Sequence, residues 1–206
     1  LAALQRSATT MVWATVFALV IGGAAVAAIT ALGRSGRLLD VGLMLPLGTS
    51  AVTIGFGMLI TFDTDPVDWR SAWWLVPVGH ALVAAPFVVR SALGVARSIP
   101  SDQAAAAATL GAPPIRAWAH TSLPALRRPF ATAAGLAAAI SLGEFGATSF
   151  LSRTGDETLP VAIERLLGRP GELFQAQAFA LSTILAAATI LIVMLVDRGG
   201  DRAPGS

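Results

Sequence analysis

Long stretches without charge constrain the fold of this chain more than any other feature. Ser7 to Gly33 contains no charged residue, and neither does Val41 to Phe62, which lies between Asp40 and Asp63. A helix needs about 20 apolar residues to cross the hydrocarbon core of a bilayer. We therefore predict an all-α membrane protein with about five transmembrane helices, at residues 8–32, 41–62, 71–90, 126–150 and 173–196.

Composition agrees with a lipid environment. Of the 206 residues, 55% are hydrophobic and only 13% are charged, whereas soluble domains carry about 25% charged residues. The sequence has no cysteine, which excludes disulfides and thiolate chemistry. With a net charge of +2 and dispersed arginines, the chain has no basic stripe, and we expect no nucleic-acid partner.

Small residues recur inside the predicted spans. Glycines occupy positions 22, 23, 48, 55, 57, 79 and 135, among many alanines. In lipid, small side chains let helix backbones approach closely. We therefore expect the spans to pack against one another as a single transmembrane domain over residues 1–206.

The distribution of arginine predicts the orientation in the membrane. One side would carry nine arginines and four acidic residues: Arg34, Arg37, Arg90, Arg97, Arg116, Arg127, Arg128, Arg198 and Arg202, with Asp40, Asp102, Asp197 and Asp201. Because short cytoplasmic loops are enriched in basic residues, we place this side in the cytoplasm and the amino end outside. We also expect the sequence to be a fragment, or one half of a longer polypeptide.

A cytoplasmic loop at residues 98–124 contains a short helix-forming stretch. Ser101 or Asp102 can cap a helix after Pro100, and alanines follow. Gly111 and the prolines at 113 and 114 would end the helix. A helix of fewer than three turns is unstable alone in water, so we expect it to bind a partner surface.

The same loop resembles the cytoplasmic signature of ATP-binding-cassette (ABC) importer permeases. The residues that match the family pattern are Ala106, Ala107, Leu110, Gly111, Leu123 and Pro124. The family's glutamate falls at Ala105, and Asp102 or Gln103 one turn earlier is a candidate replacement. The resemblance implies the type I importer permease core, in which this coupling helix sits in a cleft of a cytoplasmic ATPase subunit.

Other segments extend the resemblance over nearly the whole chain. "LPLGTSAVTIGFGML", "GHALVAAPFVVRS" and "SLGEFGATSFL" are similar to successive spans of these permeases. "SLGEFGATSFL" followed by "TLPVAIERLLGRPGE" is closest to the branch that imports thiamine or ferric iron, although molybdate and sulfate permeases share Gly-Glu-Phe-Gly.

The resemblance also implies partners and a location. The implied partners are a dimeric cytoplasmic ATPase, an extracytoplasmic substrate-binding protein, a second permease half or an identical permease, and membrane lipid. The chain has no G-x-x-x-x-G-K-[ST] motif, the P-loop that binds ATP phosphates. We therefore expect this chain to bind no cofactor, and we expect ATP to bind to the partner ATPase. We expect a multi-pass protein of the bacterial inner membrane and not an enzyme.

Glu144 is the one carboxylate inside a predicted span, and Gly143, Phe145 and Gly146 surround it. An ionisable residue in the membrane is a functional candidate by default, and the glycines would allow a break in the helix near a pore. Two interpretations stay open: a translocation pathway or gate at residues 143–146, or a buried glutamate that holds helices together.

Four other features receive structural interpretations. We interpret His80 as a packing histidine, and Asp63, Asp65 and Asp68 as part of a turn at Pro66 in preference to a Mg²⁺ site. A tryptophan cluster at positions 69, 73 and 74 is typical of the aromatic belt at a membrane surface. Residues 159–173 predict a short amphipathic helix on the outer surface, which either seals the translocation path or serves as a spacer.

A second class of function is an ion-coupled secondary transporter, which usually places ionisable groups at mid-membrane. Only Glu144 is available for that role. A membrane enzyme is disfavoured because no paired histidines or cysteines could form a catalytic site.

Overall fold

The computed structural model of the chain describes residues 2–64, 67–69, 71–153 and 155–201. Within these residues the fold is helical, apart from one small hairpin, which confirms the all-α prediction. The helices are α1 (Ala2–Leu32), α2 (Gly36–Leu43), α3 (Leu45–Gly48), α4 (Ala51–Phe62), α5 (Leu75–Ser98), α6 (Ser101–Thr109), α7 (Pro114–Gly143), α8 (Gly146–Leu151), α9 (Leu159–Leu167) and α10 (Glu172–Asp201). The hairpin joins β1 (Asp63–Thr64) to β2 (Val67–Asp68) in antiparallel pairing.

The centre of the bundle is built from α1, α5 and α7, which pack against one another. Alanines dominate the contact, and the cluster comprises Ala18, Ala81, Ala84, Val88, Ala133 and Ala137. At Gly22 of α1, an added Cβ would lie 2.6 Å from the Val88 side chain of α5. Close approach through small residues is therefore the basis of this packing, as the glycine and alanine content predicts.

Three helices in the described part of the chain are long and apolar enough to cross a membrane: α1, α5 and residues 172–196 of α10. They correspond to the first, third and fifth predicted spans. The third begins at Leu75 and runs on to Ser98, beyond the predicted end at residue 90.

The prediction of one continuous span at 41–62 is wrong. Residues 36–48 and α4 meet at a bend of 100°. Thr49 is extended, and the Oγ of Ser50 accepts a hydrogen bond from the backbone N–H of Val52 at 3.3 Å, which caps α4. A capped start with non-helical backbone before it ends one helix and begins another.

The predicted span at 126–150 is also divided. Helix α7 begins at Pro114, contains Pro124 and Pro129 in its interior, and ends at Gly143. After a break at residues 144 and 145, α8 continues from Gly146. Helix α7 therefore begins within the predicted loop at 98–124.

Aromatic side chains cluster where α4 ends and α5 begins. Trp69 stacks on Phe62 with ring centroids 5.6 Å apart, and Trp74 meets both rings edge-on. Trp69 and Trp73 are about half exposed, as expected of side chains at a membrane surface. The turn predicted at Asp65 and Pro66 lies outside the described residues.

The amphipathic helix predicted at 159–173 is present as α9. Leu159 and Val161 are buried, and α9 packs against α10. The backbone N–H of Leu159 donates a hydrogen bond of 2.7 Å to Ser7 Oγ, which attaches α9 to the start of α1.

Candidate functional site: helix α6 and the break at residues 144 and 145

Helix α6 is the short helix predicted in the cytoplasmic loop. Pro100 is its N-cap residue, and no side chain caps it there, so the prediction of a cap by Ser101 or Asp102 is wrong. The Oδ1 atom of Asp102 instead accepts a hydrogen bond from the adjacent Gln103 N–H at 3.0 Å. Proline at the N-cap fixes an extended backbone before the helix, which serves as a start signal without a side-chain cap.

The end of α6 is defined by its backbone. The N–H of Gly111 donates to the carbonyl of Ala108 at 2.9 Å, and the N–H of Ala112 donates to that of Ala107 at 3.0 Å. Gly111 has a φ of +78°, the left-handed conformation that glycine adopts most readily. This Schellman arrangement satisfies the last carbonyls of α6, and Pro114 then starts α7.

The predicted coupling residues of α6 lie on its exposed surface. Asp102, Gln103, Ala105 and Ala106 are exposed, and Ala107 is half-buried. Leu110 is 88% exposed, more than any other large hydrophobic residue among those described. An exposed leucine beside exposed alanines forms an apolar surface that a partner protein can cover.

Leu123 and Pro124 belong to α7 and do not end the loop. Both are exposed, and Leu123 lies about 13 Å along the helix axis from Pro114 at 1.5 Å per residue. The structure therefore places these two matched residues on the next helix, separate from the exposed end of α6.

Helix α7 runs from the turn after α6 to the break at residues 144 and 145. It spans 30 residues, or about 45 Å of axis. It packs against α1, α5, α6 and α10. One continuous helix therefore lies between the turn after α6 and the break.

The break lies at Glu144 and Phe145, between the two glycines that the sequence singled out. Glu144 is extended, with a φ of −71° and a ψ of 112°. Its Oε1 atom accepts a hydrogen bond from the N–H of Ala147 at 2.9 Å, and its backbone carbonyl accepts one from the Thr148 hydroxyl at 3.0 Å. Glu144 is buried and caps α8, while Phe145 is 39% exposed.

His80 of α5 joins the two sides of the break. Its Nδ1 atom lies 2.8 Å from Ser141 Oγ, before the break, and its Nε2 atom lies 2.6 Å from Thr148 Oγ1, after it. The Thr148 hydroxyl proton is already donated to the Glu144 carbonyl. His80 Nε2 must therefore carry a proton and donate to Thr148, and Nδ1 accepts from the Ser141 hydroxyl.

The interpretation of His80 as a packing residue is confirmed by its burial, but its role at the break escaped sequence reasoning. Its partners lie 61 and 68 residues away. The available signal is that Ser141 and Thr148 flank Glu144 at about one helical turn on either side. Among the described residues, no group of three histidine, cysteine, aspartate or glutamate side chains could hold a metal ion.

A second residue at the break is Gly55 of α4, one of the glycines expected to allow close helix packing, which lies against the first turn of α8. An added Cβ at Gly55 would lie 2.6 Å from the Cα atom of Ala147. At Gly146, an added Cβ would lie 3.0 Å from the Val52 backbone nitrogen. The break is therefore held on one side by His80 and on the other by close backbone packing on α4.

A surface depression of about 600 Å³ adjoins the break. It is lined by Phe145, by Ile163 and Glu164 of α9, and by Ser182 of α10. The amphipathic helix α9 therefore lies beside the break, where the interpretation as a seal would place it.

The sequence matches the family model described as "Binding-protein-dependent transport system inner membrane component" over residues 23–201. It is 33% identical over 202 residues to a putative 2-aminoethylphosphonate transport system permease protein of Salmonella typhimurium, covering 97% of this chain and 75% of that protein. It is 30% identical over 171 residues to a molybdenum transport system permease protein of Mycobacterium tuberculosis, covering 78% of this chain and 65% of that protein. The chain therefore belongs to the inner-membrane permease family of binding-protein-dependent ABC importers.

Proposed function

We propose that this chain is a permease subunit through which a small anionic solute enters the cytoplasm, and that a separate ATPase subunit drives it by docking on α6. One observation carries the proposal: the exposed apolar end of α6 at Leu110 is joined through a fixed turn to α7, which runs to the intramembrane break. A short exposed helix needs a partner surface to be stable.

Motion would pass along the chain from α6 to the break. The Gly111 turn closes α6 with two backbone hydrogen bonds, so the end of α6 and the start of α7 move together. Helix α7 packs against α1 and α5, and its far end meets His80 through Ser141. Alternating access then corresponds to rocking of α7 against these helices, with residues 143–146 opening or closing the path.

Non-helical backbone supports a pathway at the break. Backbone outside a helix is tolerated at membrane depth only where it is buried in protein or lines a water-filled cavity. Glu144 is buried, whereas Phe145 reaches the depression beside α9. We assign the structural role to Glu144 and the path-facing role to Phe145.

The contact with the ATPase would differ from that of permeases with glutamate at the position of Ala105. Alanine can offer no charge there, but Asp102 and Gln103 are exposed on the preceding turn. They would supply the polar contacts, while Ala106 and Leu110 supply the apolar ones. ATP would bind the partner, because this sequence has no P-loop motif.

The relatives support an anionic solute. Similarity to the aminoethylphosphonate permease extends over nearly the whole chain, and the molybdenum permease covers most of it. A phosphonate or an oxyanion is therefore favoured over thiamine and ferric iron, which the sequence pattern placed first. The transporter would further comprise a second permease half or copy, a dimeric ATPase and an extracytoplasmic binding protein.

Uptake by membranes containing the assembled transporter tests this function. We expect 2-aminoethylphosphonate or molybdate to accumulate with ATP and vanadate to stop it, with thiamine and ferric iron as comparison solutes. Leu110→Asp should abolish uptake without loss of membrane insertion, because it places a charge in the apolar docking surface. Leu173→Asp is the matched control, since Leu173 is also exposed but lies at the other end of the bundle.

Two results would contradict the proposal. One is uptake driven by a proton or sodium gradient without ATP, which would indicate a secondary transporter. The other is unchanged vanadate-sensitive uptake in Leu110→Asp, which would remove α6 as the docking site.

A further inference from the structure

A second pocket lies at the end of the bundle that carries α6. It has a volume of about 500 Å³ and is lined by Gly33, Arg34, Arg37, Asp40 and Arg97. Arg97 is in the last turn of α5, and α6 begins at Ser101. The pocket is therefore close to the boundary that the orientation assigns to the cytoplasmic surface of the membrane.

The turn between α1 and α2 creates this pocket. Gly33 has a φ of +55°, which lets the chain reverse at the end of α1. At Gly36, an added Cβ would lie 2.4 Å from the carbonyl oxygen of Ile29, so α2 begins in direct contact with α1. This turn places Arg34 and Arg37 at the mouth of the pocket.

The charges in the pocket are unbalanced. Three arginines face one carboxylate, which leaves two positive charges. Asp40 Oδ2 pairs with Arg97 at 3.2 Å, and within the described part of the chain no ion-pair partner contacts Arg34 or Arg37. Both side chains are exposed, so they are available to bind an anion from outside the protein.

Beside this pocket, α2 and the start of α3 present an apolar stripe. Leu38, Val41 and Leu45 are 82%, 61% and 67% exposed, and their spacing of three and four residues places them on one helical face. Arginines next to exposed aliphatic side chains are the pattern of an interfacial helix, with the apolar face in the acyl region and the charges at headgroup level.

We propose that this pocket binds the phosphodiester headgroup of an anionic phospholipid, with Arg34 and Arg37 contacting the phosphate and Arg97 held in place by Asp40. The acyl chains lie over Leu38, Val41 and Leu45. Basic pockets between helices on the cytoplasmic side of membrane proteins bind such headgroups. The lipid would fix α2 at the surface and support the 100° bend that follows it.

Native mass spectrometry of the full chain measures the bound lipid directly. The protein is extracted from nanodiscs of phosphatidylglycerol or of phosphatidylethanolamine, and retained lipids are counted. Arg34→Gln/Arg37→Gln should weaken retention of phosphatidylglycerol about fivefold per arginine removed. The control Arg127→Gln/Arg128→Gln removes an equal exposed charge on the same predicted side and should leave phosphatidylglycerol retention unchanged. Arg34→Lys/Arg37→Lys keeps the charge and should keep most of the retention.

Three results would overturn the proposal. They are equal retention in the two glutamine variants, equal retention of phosphatidylethanolamine by the unaltered protein, and displacement of phosphatidylglycerol by inorganic phosphate. The last would assign the pocket to a free phosphate. The lysine variant separates loss of charge from misfolding. If substitution at residues 34 and 37 caused misfolding, both the glutamine and the lysine variants would retain less lipid, whereas loss of charge alone affects only the glutamine variant.

Discussion

The Nε2 atom of His80 lies 2.6 Å from the Oγ1 atom of Thr148, and this bond fixes α8 to α5 across the break between α7 and α8. On the other ring nitrogen, Ser141 fixes the end of α7. A fully buried histidine whose two nitrogens bond to both sides of a break is a structural element of that break. Loss of the imidazole should therefore affect the break before it affects the rest of the bundle.

His80→Leu should destabilise the protein by about 1–3 kcal/mol, because it leaves the buried Ser141 hydroxyl without its acceptor. His120→Leu is the matched control, since His120 is exposed on α7. Thermal unfolding in detergent measures both variants. An equal unfolding midpoint for the two would contradict the bridging role.

Gly55→Ala should destabilise the contact between α4 and α8. The new methyl group would meet the Ala147 backbone at 2.6 Å, and overpacking costs about 1–3 kcal/mol. Gly57→Ala in the same helix meets nothing within 4 Å and should be neutral or stabilising by about 0.5–1 kcal/mol. Thermal unfolding midpoints of Gly55→Ala and Gly57→Ala test this prediction. Equal shifts of the two midpoints would contradict it.

The protein should tolerate loss of the negative charge at Glu144 but not loss of the side-chain oxygen that accepts a hydrogen bond from Ala147. Glu144→Gln keeps an acceptor for the Ala147 N–H, whereas Glu144→Ala leaves a buried donor unpaired, at a cost of about 1–3 kcal/mol. We expect the glutamine variant to match the unaltered protein in stability and uptake. Loss of uptake at normal stability would show that the carboxylate acts in the pathway.

The long spans could be predicted from sequence because hydropathy depends on composition alone. Ser7 to Gly33 has no charge and is helical from Ser7 to Leu32. The bend before α4 could not be predicted in that way, since Val41 to Phe62 is equally apolar on both sides of it. Its local signals are Pro46 at the start of α3 and Ser50 as a cap.

Helix α6 could be predicted because its start and end depend on neighbouring residues. The end at Gly111 requires only a positive φ and two local hydrogen bonds. The contacts of His80 and Gly55 join residues far apart in the chain, and a single sequence carries no information on which distant side chains meet. The orientation in the membrane stays a prediction.

Gly111→Ala should impair transport through the turn after α6. An alanine in the left-handed conformation costs about 1–2 kcal/mol, so the turn would shift the end of α6 relative to α7. Gly94→Ala is the control, because Gly94 is exposed within α5 and an added Cβ meets nothing within 4 Å. ATP hydrolysis and uptake measured together should show lower uptake per ATP in Gly111→Ala alone, and equal ratios would contradict a coupling role.

Crosslinking from α6 tests the central claim most directly, namely that this helix binds the ATPase subunit. The sequence has no cysteine, so Leu110→Cys introduces a single attachment point, and Leu173→Cys provides an exposed control at the other end of the bundle. We predict that a thiol-specific crosslinker joins residue 110, but not residue 173, to a nucleotide-hydrolysing subunit of the assembled transporter. Labelling of residue 110 by lipid alone, with no hydrolase attached, would contradict the account.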